Sequence, residues 1–279
     1  DNCSLDVARD ILESDKCYSE EVWRGLVELG LTGTAIPEEY GGLGLGALEL
    51  CVVAEELGRA AAPVPFSSSV YLGTEAIVKY GTNSQKEKWL PKLSSGELIS
   101  TFALPETNSE PTEKNIKTTF SNGKINGKKL PVADGSYADI AIVVVKNTDN
   151  DDIALAIAEL TSENVKRKQI STLDPSRDHA EIIFENSEAE IMDIGDEGWG
   201  AVDSILNSAA VLMAFEQIGG AEASLNMAKE YALDRYAFGR QIGSYQAIKH
   251  KLADMYVNCL LYTSPSPRDL STSRMPSSA

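Results

Sequence analysis

The sequence predicts an α+β chain in which helices come first, a compact and mainly antiparallel β region follows, and helices return. Three observations predict it. Apolar residues recur at helical spacing through the first hundred residues or so. They switch to period-two alternation and β-branched runs between roughly 98 and 192, and helical spacing resumes after GDEGWG at 195–200. The corresponding segments are 1–97, 98–193 and 194–258. At 279 residues the chain can bury a sizeable core and form one to three domains.

In chain order, SEEVWRGLVELG sets Val22, Trp23, Leu26, Val27 and Leu29 on one helical face, behind a cap at Ser19 and before a stop at Gly30. ALELCVVAEELGRAA predicts a second helix ending at Gly58, and QKEKWLPKL a third interrupted by Pro91. LISTFALPE, NIKTTFS, DIAIVVVK, DIALAIAEL and HAEIIFE read as strands, with reversals expected at Asn122-Gly123 and Asn126-Gly127. The run from Ser204 to Tyr236 is helical, broken only by Gly219-Gly220. Two glycines inside a helix cost about 1 kcal/mol each relative to alanine, so a close approach is expected there, by a neighbouring helix rather than a ligand. From Ser244 another helix sets Tyr245, Ile248, Leu252 and Met255 on its core stripe, with Gln246 and His250 off it.

Composition excludes several function classes. With 42 acidic and 25 basic residues the net charge is −17, which disfavours nucleic acid and anionic lipid as partners. No apolar run approaches the about 20 residues of a membrane span, and DNCSLDVARD is no signal peptide, so a soluble, intracellular protein without membrane insertion is expected. Cys3, Cys17, Cys51 and Cys259 lack CxxC spacing and His179 and His250 lack HExxH spacing, so neither a metal site nor a disulfide framework is expected. There is no GxSxG elbow or phosphate-binding Walker loop. GGLGLGA at 41–47 matches a loose GxGxxA pattern but follows no strand, and its glycines are assigned to turns. Glu56 with Arg59, and Glu230 with Arg235, read as solvated helix pairs.

Three stretches carry more information. VELGLTGTAIPEEYGGLGLGALELCVVAEELGRAAAPVPF, GTNSQKEKWLPKLSSGELISTFALPE and YALDRYAFGRQIGSYQAIKHKLADMYV follow one another, and the last contains R-x-x-F-G-x-x-I-x-x-x-Q-x-x-x-H over 235–250. Together they resemble the acyl-CoA dehydrogenase family over about 18–258. The resemblance implies an N-terminal helical domain, a middle β domain and a C-terminal helical bundle, here incomplete, around FAD and an acyl-CoA thioester. It implies that Arg235, Phe238 and Gln246 contact the pyrophosphate and adenine side of an FAD held by a neighbouring subunit, hence a homo- or hetero-oligomer. Guanidinium forks suit diphosphate oxygens, an aromatic offers a face to the adenosine, and a carboxamide both donates and accepts. It further implies electron transfer to an electron-transferring flavoprotein, in the cytoplasm of a prokaryote or the mitochondrial matrix of a eukaryote.

The chain departs from the family around the flavin ring. An aromatic-x-x-Thr-Glu-Pro pattern is matched by Phe102-Ala103-Leu104-Pro105-Glu106-Thr107, so proline stands in place of a hydroxyl, and Trp-x-Thr is matched by Pro131-Val132-Ala133. Phe102, Leu104 and Val132 remain as cofactor-binding candidates, the last two through their backbone N–H groups, while Pro105 and Pro111 offer none. No catalytic base is assignable. The minority family position for the glutamate falls on Ala209, followed by Ala210, and Glu216 two turns later is an unsupported substitute. A flavin-dependent α,β-dehydrogenase, present here as an inactive fragment, is the leading expectation. A non-catalytic FAD-binding partner subunit of a hetero-oligomer is the alternative.

The chain opens at Asp1 without methionine, and residues upstream are expected. Residues 259–279, CLLYTSPSPRDLSTSRMPSSA, back-translate into a transposase-type sequencing adapter and are expected to be a non-native tail, with the natural chain continuing beyond 258.

Overall fold

The computed structural model describes residues 3–263, so the expectation for 259–279 lies almost wholly outside the described residues. Helices α1 (Leu5–Leu12), α2 (Glu20–Glu28), α3 (Ala47–Arg59), α4 (Glu75–Tyr80) and α5 (Asn83–Ser94) come first, with a π-helical stretch at Ser67–Thr74. The Ser19 hydroxyl accepts from the Val22 amide at 3.4 Å to cap α2, and Gly30, at φ 75°, ends it in the left-handed conformation glycine adopts without penalty.

Two expectations for these helices are corrected. α3 does not end at Gly58 but runs through it to Arg59. α5 is not broken by Pro91: it starts at Asn83 behind a reciprocal capping box of Thr82 and Gln85 and continues past the proline, whose carbonyl accepts from Ser95 N at 3.0 Å. A proline near the end of a helix removes one internal hydrogen bond, and here the buried Trp89, Leu90 and Leu93 hold the last turn in place.

The strands are β1 (Ser100–Ala103), β2 (Thr119–Ser121), β3 (Lys124–Ala133), β4 (Ile140–Asn147), β5 (Ile153–Glu159), β6 (Val165–Gln169) and β7 (His179–Ile191). They form one sheet in the order β1-β4-β2-β3-β7-β5, closed by a β4–β5 pairing, with β6 added on β7. The sheet is mainly antiparallel as expected, with β1 and β2 both pairing parallel to β4. Asn122-Gly123 makes the β2–β3 hairpin turn at φ 49° and 75°. Asn126-Gly127 is no reversal: it lies inside β3 beside a bulge, because β7 pairs along both sides of it.

Helix α6 (Trp199–Asp234) follows, then a two-stranded ribbon of β8 (Tyr236–Ala237) and β9 (Arg240–Gln241), and α7 (Gln246–Thr263). The described residues fall into two compact units, 3–50 with 63–212, and 51–62 with 213–263. The first holds a continuous apolar core that includes Ile36, Ile77, Leu90, Ile142, Leu155 and Ile205. Within the second, a β-carbon on Gly219 would collide with the Glu55 carbonyl oxygen, and one on Gly58 with that of Glu216. The glycines of α6 therefore admit a neighbouring helix, the alternative favoured over a ligand. Tyr245, Ile248 and Leu252 are half-buried rather than core, and Met255 is exposed.

Candidate functional site

In the second unit, α6 stops at Asp234 and the chain folds back on itself within a dozen residues. Ile242 N donates to the Arg235 carbonyl at 2.8 Å, the Tyr245 hydroxyl donates to the Ala237 carbonyl at 2.9 Å, and the Arg240 guanidinium lies 3.9 Å from the Tyr245 ring centroid. Gly243 packs so close to Ala232 that a β-carbon would sit 2.8 Å from its carbonyl oxygen. This scaffold brings together the end of α6, the ribbon tip and the first residue of α7, and so Arg235, Phe238 and Gln246 share one corner. All three are exposed. Gln246 Nε2 lies 3.5 Å from His250 Nε2, one turn along α7.

Phe238 is the unusual member. Ala237 pairs with Arg240, so Phe238-Gly239 is a two-residue turn at φ 52° and 79°. Left-handed backbone costs a non-glycine residue about 1–2 kcal/mol, and the ring recovers nothing by packing, being 98% exposed. The exposed Arg235 guanidinium and Gln246 carboxamide on the same folded segment offer positive charge and hydrogen-bond donors. The corner is suited to an anionic ligand that carries a flat aromatic group.

The first unit places the other candidates differently. Phe102 in β1 and Leu104 just beyond it belong to the apolar core, and Val132 in β3 is fully buried. Their side chains are committed to the interior, and Val132, paired with Ala180 of β7, has no exposed surface at all, backbone included. Beside them is a residue that sequence reading missed. Lys129 is fully buried, and its Nζ donates to the Leu104 carbonyl at 3.1 Å and to Glu106 Oε1 at 2.9 Å. Burial pushes the Lys129 ammonium down to about 8 against the opposing pull of Glu106. Glu106 is held below the usual carboxylate range: burial works against this, and Lys129 with the Thr118 amide overcomes it. The only signal in the sequence was strand parity, since Lys129 falls on the same inward face of β3 as Ile125.

A second buried polar cluster follows Val132. Asp134 accepts from the Ser68 hydroxyl of the π-helical stretch and from the Tyr137 hydroxyl at 2.7 Å, and burial raises its pKa. Asp178 accepts from Ser136 Oγ at 2.6 Å and Gln169 Nε2 at 2.8 Å. The Ser68–Asp134 bond ties the π-helical stretch to the end of β3.

At 209 and 210 α6 carries alanine and so supplies no carboxylate as a catalytic base. Ala209 is buried in α6 and Ala210 is exposed. Glu216 is half-buried. Among the described residues no group of His, Cys, Asp and Glu is arranged to hold a metal ion, and no helix is long and apolar enough to cross a membrane.

Comparison with known proteins identifies the family of the chain. The acyl-CoA dehydrogenase N-terminal domain matches residues 4–97 and the acyl-CoA dehydrogenase C-terminal domain matches 196–261. An acyl-CoA dehydrogenase of Bacillus subtilis (strain 168) is 31% identical over 262 residues, 89% of this chain and 69% of that protein. The mitochondrial isovaleryl-CoA dehydrogenase of Arabidopsis thaliana is 33% identical over 249 residues, 84% of this chain and 61% of that one. The crystal structure of an acyl-CoA dehydrogenase complexed with FAD from Bacillus anthracis superposes with a TM-score of 0.85 at 26% identity, covering 94% of this chain and 47% of the other. The chain thus spans 61 to 69% of the length of these two curated relatives. It belongs to the FAD-dependent acyl-CoA dehydrogenase family.

Proposed function

We propose that the chain is part of a flavoprotein that oxidises an acyl-CoA thioester to its trans-2,3-enoyl product and passes the electrons to an electron-transferring flavoprotein. When bound, FAD supplies the acceptor for hydride from the β carbon. Arg235, Phe238 and Gln246 hold the pyrophosphate and adenine of an FAD seated in a second copy or a related subunit. The observation that carries this is Phe238: an aromatic kept in strained backbone at an exposed tip serves no packing purpose, and the family membership gives it an adenosine to meet. The backbone N–H of Leu104 meets the flavin ring, and the apolar side chains of Phe102 and the fully buried Val132 behind it keep water away. The reaction takes place in the cytoplasm of a prokaryote or in the mitochondrial matrix of a eukaryote.

One observation favours a second reading. Ala209 and Ala210 put no base or cation where some family members carry them, and Pro105 stands in place of a flavin-bonding hydroxyl. Both suit a subunit that lends a cofactor-binding surface to an active partner. Anaerobic addition of acyl-CoA to the complete natural protein, extended beyond 258 and supplemented with FAD, separates the two. Bleaching of the flavin band supports the dehydrogenase, whereas bound flavin that does not bleach supports the partner subunit. Absence of any flavin uptake overturns both.

A further inference from the structure

The last ladder pairing of β1 is Ala103 with Val143, so Leu104 is the first residue beyond it, and Pro105 next to it has no amide hydrogen to give. A segment leaving a ladder this way should be loosely held. Instead each of its three residues is tied to another strand or loop. The Leu104 carbonyl accepts from Lys129 Nζ at 3.1 Å, the Pro105 carbonyl from Leu130 N at 2.7 Å, and the Glu106 carboxylate from Lys129 Nζ at 2.9 Å, Lys117 N at 2.8 Å and Thr118 N at 2.9 Å.

The ammonium is the hub of this set, and it is a costly choice. Burying a cation loses several kcal/mol of solvation, and an apolar side chain of similar volume usually serves stability as well or better. Methionine would fill the same space in β3. What it would lack is a donor able to bond a main-chain carbonyl and a carboxylate two residues further on at the same time.

We propose that Lys129 is a positioning residue: by gripping Leu104 and Glu106 together it fixes the backbone of residues 104–106 in the arrangement that meets the flavin ring. This rests on the reading above that the Leu104 backbone faces FAD. Lys129 touches no reacting atom and acts only through that segment.

The test compares wild type, Lys129→Met, and the double variant Lys129→Met with Glu106→Gln. The single variant strands a carboxylate in the interior and can fail to fold. The double variant removes both charges, and the carboxamide oxygen introduced at position 106 still accepts from the Lys117 and Thr118 amides. Its expected thermal unfolding midpoint is close to wild type. Its amide hydrogen exchange at Leu104 and at position 106 should be at least about tenfold faster, its FAD affinity at least about tenfold weaker, and the visible circular dichroism of its bound flavin altered. A double variant with wild-type exchange at these amides, FAD affinity within about twofold and an unchanged flavin spectrum overturns the proposal and leaves Lys129 a plain structural ion pair. Faster exchange in a chain whose wild type takes up no FAD overturns the cofactor reading instead, so the two failures are told apart.

Discussion

Two hairpins in this molecule use the same tight turn with different residues. At the β2–β3 connection the positions of positive φ are Asn122 and Gly123, a pair that tolerates left-handed backbone. Between β8 and β9 they are Phe238 and Gly239, and the aromatic is 98% exposed. The first turn is chosen for folding. The second accepts strain and gains no packing, which marks the residue as one that something outside the chain selects.

The surroundings of the two turns differ in the same sense. The sheet that holds Asn122 satisfies its interior polar groups within the chain, down to a buried ammonium with two partners. The corner that holds Phe238 leaves Arg235 and Gln246 exposed. Substitutions in the first region should therefore register as lost stability, and those in the second as lost binding.

The largest expected effect comes from Lys129→Met alone. It leaves Glu106 nearly buried without its cation and should cost about 3–5 kcal/mol in urea unfolding. A cost under about 1 kcal/mol breaks the claim that the sheet interior is tightly paired. Next comes Gly219→Ala. Helix propensity alone favours alanine by about 1 kcal/mol. The collision with the Glu55 carbonyl opposes this and should win by about 1–3 kcal/mol, because backbone cannot move aside as a side chain can.

The reciprocal exchange of turn residues sharpens the comparison itself. Asn122→Phe should destabilise by about 1 kcal/mol, and Phe238→Asn should stabilise by about as much while weakening FAD binding. Opposite signs on stability and binding from one substitution are the signature of a residue kept for a ligand.

The mildest perturbation is pH. Lys129 is depressed in the folded protein to about 8 from an ordinary 10.5. Between those values the native state therefore binds fewer protons than the unfolded chain, and unfolding free energy should climb as pH rises through that window. Glu106 acts in the acidic range with the same sign, because its pKa is also lowered on folding. Its lowered pKa contributes stability above the unfolded value of 4.5, and that contribution disappears as pH falls through the folded one. Urea midpoints measured across pH should lose both trends in the double variant at 106 and 129.

Much of this was legible in the sequence, and what was hidden has identifiable causes. Period-two runs located the strands because one face of each is buried, and the helix contact at Gly219 was readable because a glycine inside a helix is unfavourable without one. Asn126-Gly127 misled, since an Asn-Gly pair marks a reversal only if the neighbouring strand does not pair across it, and β7 does. Gly58 misled for the complementary reason: glycine near a helix end also serves where another backbone comes close. At the candidate site, Arg235, Phe238 and Gln246 were legible through a long motif whose residues fall within sixteen positions of sequence. Lys129 was not, because its partners at 104 and 106 lie across the sheet and only strand parity sets it apart from Lys128 beside it.

The central claim is that the exposed corner at the end of α6 grips the dinucleotide. Calorimetric titration of FAD into wild type and into the Arg235→Ala, Gln246→Ala double variant tests it most directly. Binding should weaken by about tenfold to a hundredfold, since charge-assisted bonds to diphosphate are lost, with the unfolding free energy in urea changed by less than about 0.5 kcal/mol. Equal dissociation constants in the two proteins would contradict it.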